Sequence, residues 1–414
     1  FVTASVATGG LGLSDTVAAN MQSNLTAFSY LLPLFGAVIV DKYIGARYTT
    51  PVGMFIAAAG YFTGGIAKSS AGVYAMIFLV SLGLALFKNG AIIGRVITDK
   101  SQMDPAFSMR YTLVNVGAFI GTFLVGILYK DVFAKDGVLG FAPCFKMAAL
   151  MMVLGGLWYI FVCWRFLGDL GKLPFKKTLT EEEKAAEAKK KEETGTKQPL
   201  TTIEKKRIGA IFVASLFSIV FWIFWYLGYM PVYFYWAENM DWVVAGYQVP
   251  STWFDAANSL FCVILGPVTA ALWKKLAARP QGDMSLFRKT GLGIAIIGVG
   301  YLFYAAIDIM RGGEKASVLW LIVFAFLLTM GEMFFSPLGH SFISKYSPSR
   351  YLAVMMSVWG FATFIAAKSY GPVYGLLFGG KIEFKVACIG VAVVSFAAAL
   401  IMIALDKTLS ALVD

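Results

Sequence analysis

Long apolar runs, each closed by a short polar or Gly/Pro-containing break, recur along the 414 residues. A helix needs about 20 mostly apolar residues to cross about 30 Å of hydrocarbon. Eleven stretches meet that length, roughly 23–40, 49–67, 71–94, 107–129, 143–166, 208–236, 249–273, 288–307, 317–336, 350–378 and 384–405. Apolar residues surround these segments on every side, as expected where lipid and packed neighbours share the helix surface. The pattern predicts an all-α integral membrane protein. One segment, 167–207, breaks it: TEEEKAAEAKKKEETGTKQP is charged, rich in Ala, Glu and Lys, and has no apolar face. It reads as a solvated, partly helical linker between an N-terminal helical bundle (1–166) and a C-terminal one (208–414). Five spans precede it and six follow. An odd count that begins outside predicts a further first helix and twelve spans in two bundles of six, as in transporters built from repeated halves.

Composition agrees. The chain is 58% apolar and 14% charged, whereas soluble domains sit near half apolar and a quarter charged. That excludes an ordinary soluble enzyme, a disordered chain and a nucleic-acid binder. The net charge of +11 fits the excess of Lys and Arg on cytoplasmic loops. With the loop holding Asp41, Lys42 and Arg47 inside and the sides alternating, 25 of the 35 Lys and Arg fall inside and 8 outside. Without the linker the division is 13 to 8. The expectation is a multi-pass protein of the plasma or inner membrane with a cytoplasmic linker. Cys144, Cys163, Cys262 and Cys388 show no paired spacing, so neither a disulfide frame nor a metal site is indicated, and no cofactor is expected. There is one histidine, His340, which reads as a loop or interface residue. The chain carries no HExxH pair and no GxSxG elbow, so it is not read as an enzyme.

A charge at mid-membrane costs about 2.5–3.5 kcal/mol on insertion scales, which singles out Lys88, Asp255, Glu332 and Lys368. Lys88, in GLALFKNGAIIG, suits an anionic substrate group, an exchangeable carboxylate partner, or a permanent ion pair. Glu332, in MGEMFFSPLGHS, suits a group that loads and releases a proton, or a carboxylate locked to Lys368 or Lys88. Pro337 predicts a kink or break five residues later. Asp255 follows a helix start at Pro250-Ser251-Thr252 and complements the helix dipole or serves the site. Asn258 is nearly one turn on, and Asn115 lies mid-span; each either binds substrate or joins helices. Lys368 either snorkels outward or neutralises Glu332. The aromatic run 221–236 walls an apolar cavity or faces lipid, and Gly117 with Gly121 match small-xxx-small packing.

The stretch Gly36-Ala-Val-Ile-Val-Asp41-Lys42-Tyr43-Ile44-Gly45-Ala46-Arg47 resembles the cytoplasmic loop motif of major facilitator transporters. There an acid, two bases and a tight glycine turn make a breakable latch. More narrowly, the chain resembles the proton-dependent oligopeptide transporter (POT) family over most of its length. AFSMRYTLVNVGAFIGTFLVGIL is similar to the family's fifth-helix signature and VPSTWFDAANSLFCVILGPVTAALW to its eighth helix. GEMFFSPLGHSFISKYSP is similar to its tenth helix and LAVMMSVWGFAT to its eleventh, while Lys88 sits where the family has a fourth-helix Lys.

The resemblance implies the major facilitator fold and uptake of di- and tripeptides with protons by alternating access, in a chain working as a monomer in the bilayer. It implies that Lys88 meets the peptide carboxylate and Glu332 the amine. Asn115 and Asn258 would hold the backbone, with Trp359 in the binding region. Glu332 and Lys88 take part in proton coupling, and Gly36, Asp41, Lys42, Gly45 and Arg47 form the gating motif. Several positions depart from the family. Its first-helix coupling glutamates fall outside this sequence, as do the two helices often inserted between bacterial halves. Residues 205–237 hold no acid where the seventh helix normally carries a glutamate; Tyr226 or Leu227 stands near that position. Asn89 replaces a Pro, Asp255 a neutral polar residue, and Lys368 is an extra charge, which makes the last two candidates for altered coupling. The alternatives are a same-fold transporter of another amphoteric or anionic solute (amino acid, nitrate or drug-like), or a transport-dead receptor or scaffold. The insertion cost of Lys88 and Glu332 argues against the last.

Overall fold

The computed structural model describes residues 1–87, 103–169, 171–174, 200–280, 284–347 and 352–413. A helix occupies each of the eleven apolar stretches. In chain order these are α1 (Asp15–Lys42), α2 (Ala46–Ile66), α3 (Ser70–Phe87), α4 (Met103–Ile127), α5 (Phe141–Phe166) and α6 (Thr202–Tyr233). After the short α7 (Tyr235–Asn239) come α8 (Trp253–Ala277), α9 (Leu286–Met310), α10 (Leu319–Tyr346), α11 (Leu352–Phe378) and α12 (Phe384–Ala404), and α13 (Asp406–Val413) ends the described chain. Among the described residues, eight helices are by themselves long and apolar enough to cross a bilayer. The protein is an all-α integral membrane protein.

Local chemistry sets several boundaries. α6 opens with a capping box, in which the Glu204 amide donates to the Thr201 hydroxyl at 3.3 Å and the Thr201 amide to the Glu204 carboxylate at 2.9 Å. This satisfies two donors that a helix start otherwise leaves unpaired. α10 is not broken at Pro337 as its sequence suggests; it runs on to Tyr346. Membrane helices tolerate proline where neighbours re-satisfy the freed backbone. The strands of a hairpin, β1 (Val243–Val244) and β2 (Tyr247–Gln248), pair antiparallel. They are joined by Ala245 and Gly246, both with positive φ, which matches the twist of a two-residue hairpin turn.

The chain forms two compact units, Phe1–Tyr111 with Leu128–Pro199, and Thr112–Ile127 with Leu200–Asp414. In the first, α2 packs on α3 and α5, and α1 on α3. Glycines allow the close approach: a Cβ on Gly53 would lie 2.6 Å from the Gly83 carbonyl oxygen, and one on Gly83 2.5 Å from that of Gly53. Gly117 and Gly121, whose spacing suggests the same role, face open space. The motif marks a surface that admits a neighbour, and among the described residues none lies within 4 Å of a Cβ at either position.

In the second unit α9 packs on α12 and α10, α6 on α11, and α8 on α10. Tyr301 and Tyr304 of α9 are fully buried. They donate to the Phe224 carbonyl at 2.7 Å and the Gly228 carbonyl at 3.3 Å on α6, and Tyr304 stacks on Phe324 at 3.5 Å. Each ring thus supplies packing, and its hydroxyl is satisfied in a region without water. Overpacking typically costs about 1–3 kcal/mol. Gly53→Val is therefore expected to lower the thermal midpoint in detergent by several degrees, and Gly117→Val to leave it within a degree. Equal shifts in the two variants would contradict the packing described.

Candidate functional site

A polar cluster interrupts the apolar interior of the second unit where α8 faces α10. Asn258 and Cys262 lie four apart on α8, and Thr329 and Glu332 three apart on α10, spacings that align each pair on one helix face. The Asn258 amide nitrogen donates to the Glu332 carboxylate at 3.2 Å and to the Thr329 hydroxyl at 2.8 Å. That hydroxyl donates in turn to the Ala325 carbonyl at 2.8 Å. The Cys262 thiol stands 3.9 Å from the same carboxylate. One turn nearer the start of α8, Asp255 accepts a hydrogen bond from the Tyr233 hydroxyl of α6. Thr252 precedes α8 as expected, but its hydroxyl makes no capping bond. Among the described residues, the partners of both carboxylates are neutral.

Aromatic rings from the run 221–236 turn toward neighbouring helices. Phe221 stacks on Phe335 of α10 at 4.1 Å, and Tyr226 on Tyr370 of α11 at 5.1 Å. Trp359, buried on α11, lies parallel to Phe335 at 5.7 Å. Gly339 is required beside it, because a Cβ there would come within 2.1 Å of the Trp359 ring. The indole Nε1 atoms of Trp222 and Trp225 are buried without a hydrogen-bond partner. Asn115 is half-buried in the segment of α4 that belongs to this unit, and Lys368 is exposed on α11. Lys88 and the side chains of His340 and Asp41 lie outside the described residues.

The loop motif is held inside the first unit. Gly36 allows α1 to meet α3, since a Cβ there would sit 1.9 Å from the Ala85 carbonyl oxygen. Lys42 is exposed in the last turn of α1, where a cation complements the helix dipole. Gly45 caps the start of α2, and a Cβ on it would lie 2.2 Å from the Gly171 carbonyl oxygen. Arg47 grips the loop after α5: its amide donates to the Gly171 carbonyl at 3.0 Å and its guanidinium to the Gly168 carbonyl. Within that loop Lys172 pairs with Asp169 at 2.5 Å and holds its carboxyl below the usual carboxylate range. The motif's partner escaped sequence reasoning because it is backbone. The available signal was Gly168 and Gly171 themselves, both with left-handed φ.

Comparison with known proteins places this geometry. The profile of the POT family matches residues 170–378. An uncharacterized transporter of Bacillus subtilis is 25% identical over 402 residues, covering 87% of this chain and 79% of its own. A di-/tripeptide transporter of Lactococcus lactis subsp. cremoris is 24% identical over 400 residues, covering 84% of this chain and 78% of its own. A crystal structure of a POT peptide transporter in complex with alafosfalin has the same fold, with a TM-score of 0.85 at 23% identity. It covers all of this chain and 90% of that one.

A guanidinium hydrogen bond contributes about 1.5–3 kcal/mol. Arg47→Ala is therefore expected to speed amide hydrogen exchange in 167–174 by about tenfold while leaving α2 and α3 unchanged. Unaltered protection in that loop would rule out the clamp.

Proposed function

The chain belongs to the POT family, and from that premise we propose that it is a secondary active transporter that takes up di- and tripeptides with protons by alternating access. The observation that carries this reading is Glu332, a carboxylate inside an apolar helix bundle whose described partners are all neutral. Such a charge is costly to insert and has a use where an ammonium group or a proton must be held in turn. Relatives named as di-/tripeptide transporters support the substrate class.

In this proposal Glu332 meets the peptide amine and Lys88 its carboxylate, which are groups common to every short peptide. Trp359 bounds the site. Asn115 and Asn258 hold the backbone, with the Asn258 nitrogen engaged by Glu332 and Thr329 and its carbonyl oxygen left to accept a peptide N–H. Protonation and substrate binding at Glu332 are coupled because both act on one charge. Asp255 and Lys368 are further coupling candidates, since α6 carries no acid beyond its first turn. Gly36, Asp41, Lys42, Gly45 and Arg47 form the proposed gate, and the transporter is proposed to act as a monomer in the bilayer. The missing acid favours one second reading, a same-fold transporter of another small amphoteric or anionic solute.

Uptake of labelled dialanine into liposomes separates these readings. The expected result is accumulation stimulated severalfold by an inward proton gradient and cut at least tenfold in Lys88→Ala and Glu332→Gln. Absence of dialanine binding at millimolar concentration would overturn the peptide reading, and gradient-independent uptake would remove the coupling.

A further inference from the structure

A second carboxylate, Asp255, stands near Glu332 in the α6–α8–α10 cluster. Asp255 and Asn258 are three residues apart on α8, about 4.5 Å along the axis at a rise of about 1.5 Å per residue. Asn258 in turn holds Glu332. Two rings of α6 border these acids, Trp225 and Tyr229, with centroids 4.9 Å apart. Tyr229 is one turn before Tyr233, which bonds Asp255, and its ring packs on Phe254 beside that acid at 5.3 Å. Trp225 lies beside Glu332 with its indole N–H buried. Both acids and both rings are half-buried. A purely apolar guest would leave two desolvated carboxylates to repel each other, whereas an organic cation is stabilised by carboxylates and by aromatic faces together.

From this juxtaposition we infer that Asp255, with Trp225 and Tyr229, forms a subsite for a second cationic group, so that the transporter prefers short peptides with an N-terminal lysine or arginine. The inference rests on the peptide reading above, in which Glu332 takes the terminal amine. The flexible stem of a lysine side chain would reach from Glu332 to Asp255, which lies less than one helix turn from the Asn258 that holds Glu332. Asp255 is a specificity-determining residue in this arrangement, and its bond from Tyr233 orients the carboxylate.

Affinities of purified protein for Lys-Ala and Ala-Ala, measured by calorimetry, test the subsite. Wild type is expected to bind Lys-Ala about tenfold more tightly, the contribution of one partly desolvated charge pair. Asp255→Asn should bring the ratio near one, and Asp255→Glu should restore it. A wild-type ratio near one, or a ratio that survives Asp255→Asn because both affinities fall by the same factor, would overturn the inference. Failure to bind either dipeptide would overturn the peptide reading and this inference with it, whereas Ala-Ala bound without preference overturns this inference alone.

Discussion

Hydrocarbon offers no water to a polar group, so each polar side chain inside the membrane must find its partner within the protein. Two sets of polar side chains meet that constraint in different ways. Ser215, Thr269, Thr329, Thr363 and Ser395 return their hydroxyls to the carbonyl four residues back on their own helix, which needs no tertiary contact. Asn258, Glu332, Asp255 and Tyr233 instead satisfy one another across α6, α8 and α10. Only this second group carries ionisable carboxyl groups, and its satisfaction depends on tertiary contact.

The packing that supports the cluster differs between the two units. Apolar side chains gain little by leaving lipid for one another, so helices associate through close approach and dispersion. In the first unit close approach comes from glycine against backbone, at Gly36 with Ala85 and at Gly53 with Gly83. In the second, glycine against backbone at Gly293 with Gly331 is joined by interlocked rings, such as Tyr304 on Phe324 and Phe221 on Phe335. Those rings fix α6 against its neighbours, and α6 then presents Tyr233 to Asp255. A helix without acids beyond its first turn thus shapes an acidic region whose charges are carried by α8 and α10.

A fold leaves room for such redistribution, because function resides in particular side chains on a shared scaffold. At 23% identity the scaffold is that of a solved POT peptide transporter. The extra acid at Asp255 gives the proposed site a selectivity that the shared fold alone does not specify.

Much was legible in the sequence, and for local reasons. Hydropathy over some twenty residues located the eleven apolar helices, and insertion cost picked out Glu332 and Asp255 before any contact was known. What tertiary structure decided were the partners. Asn258 meets Glu332 across 74 positions of chain, Arg47 takes backbone oxygens more than a hundred residues away, and Gly53 touches a helix where, among the described residues, Gly117 touches none. A side chain's type states what contact it needs, but adjacency is a property of the packed helices, and no local pattern encodes which distant residue arrives to provide it.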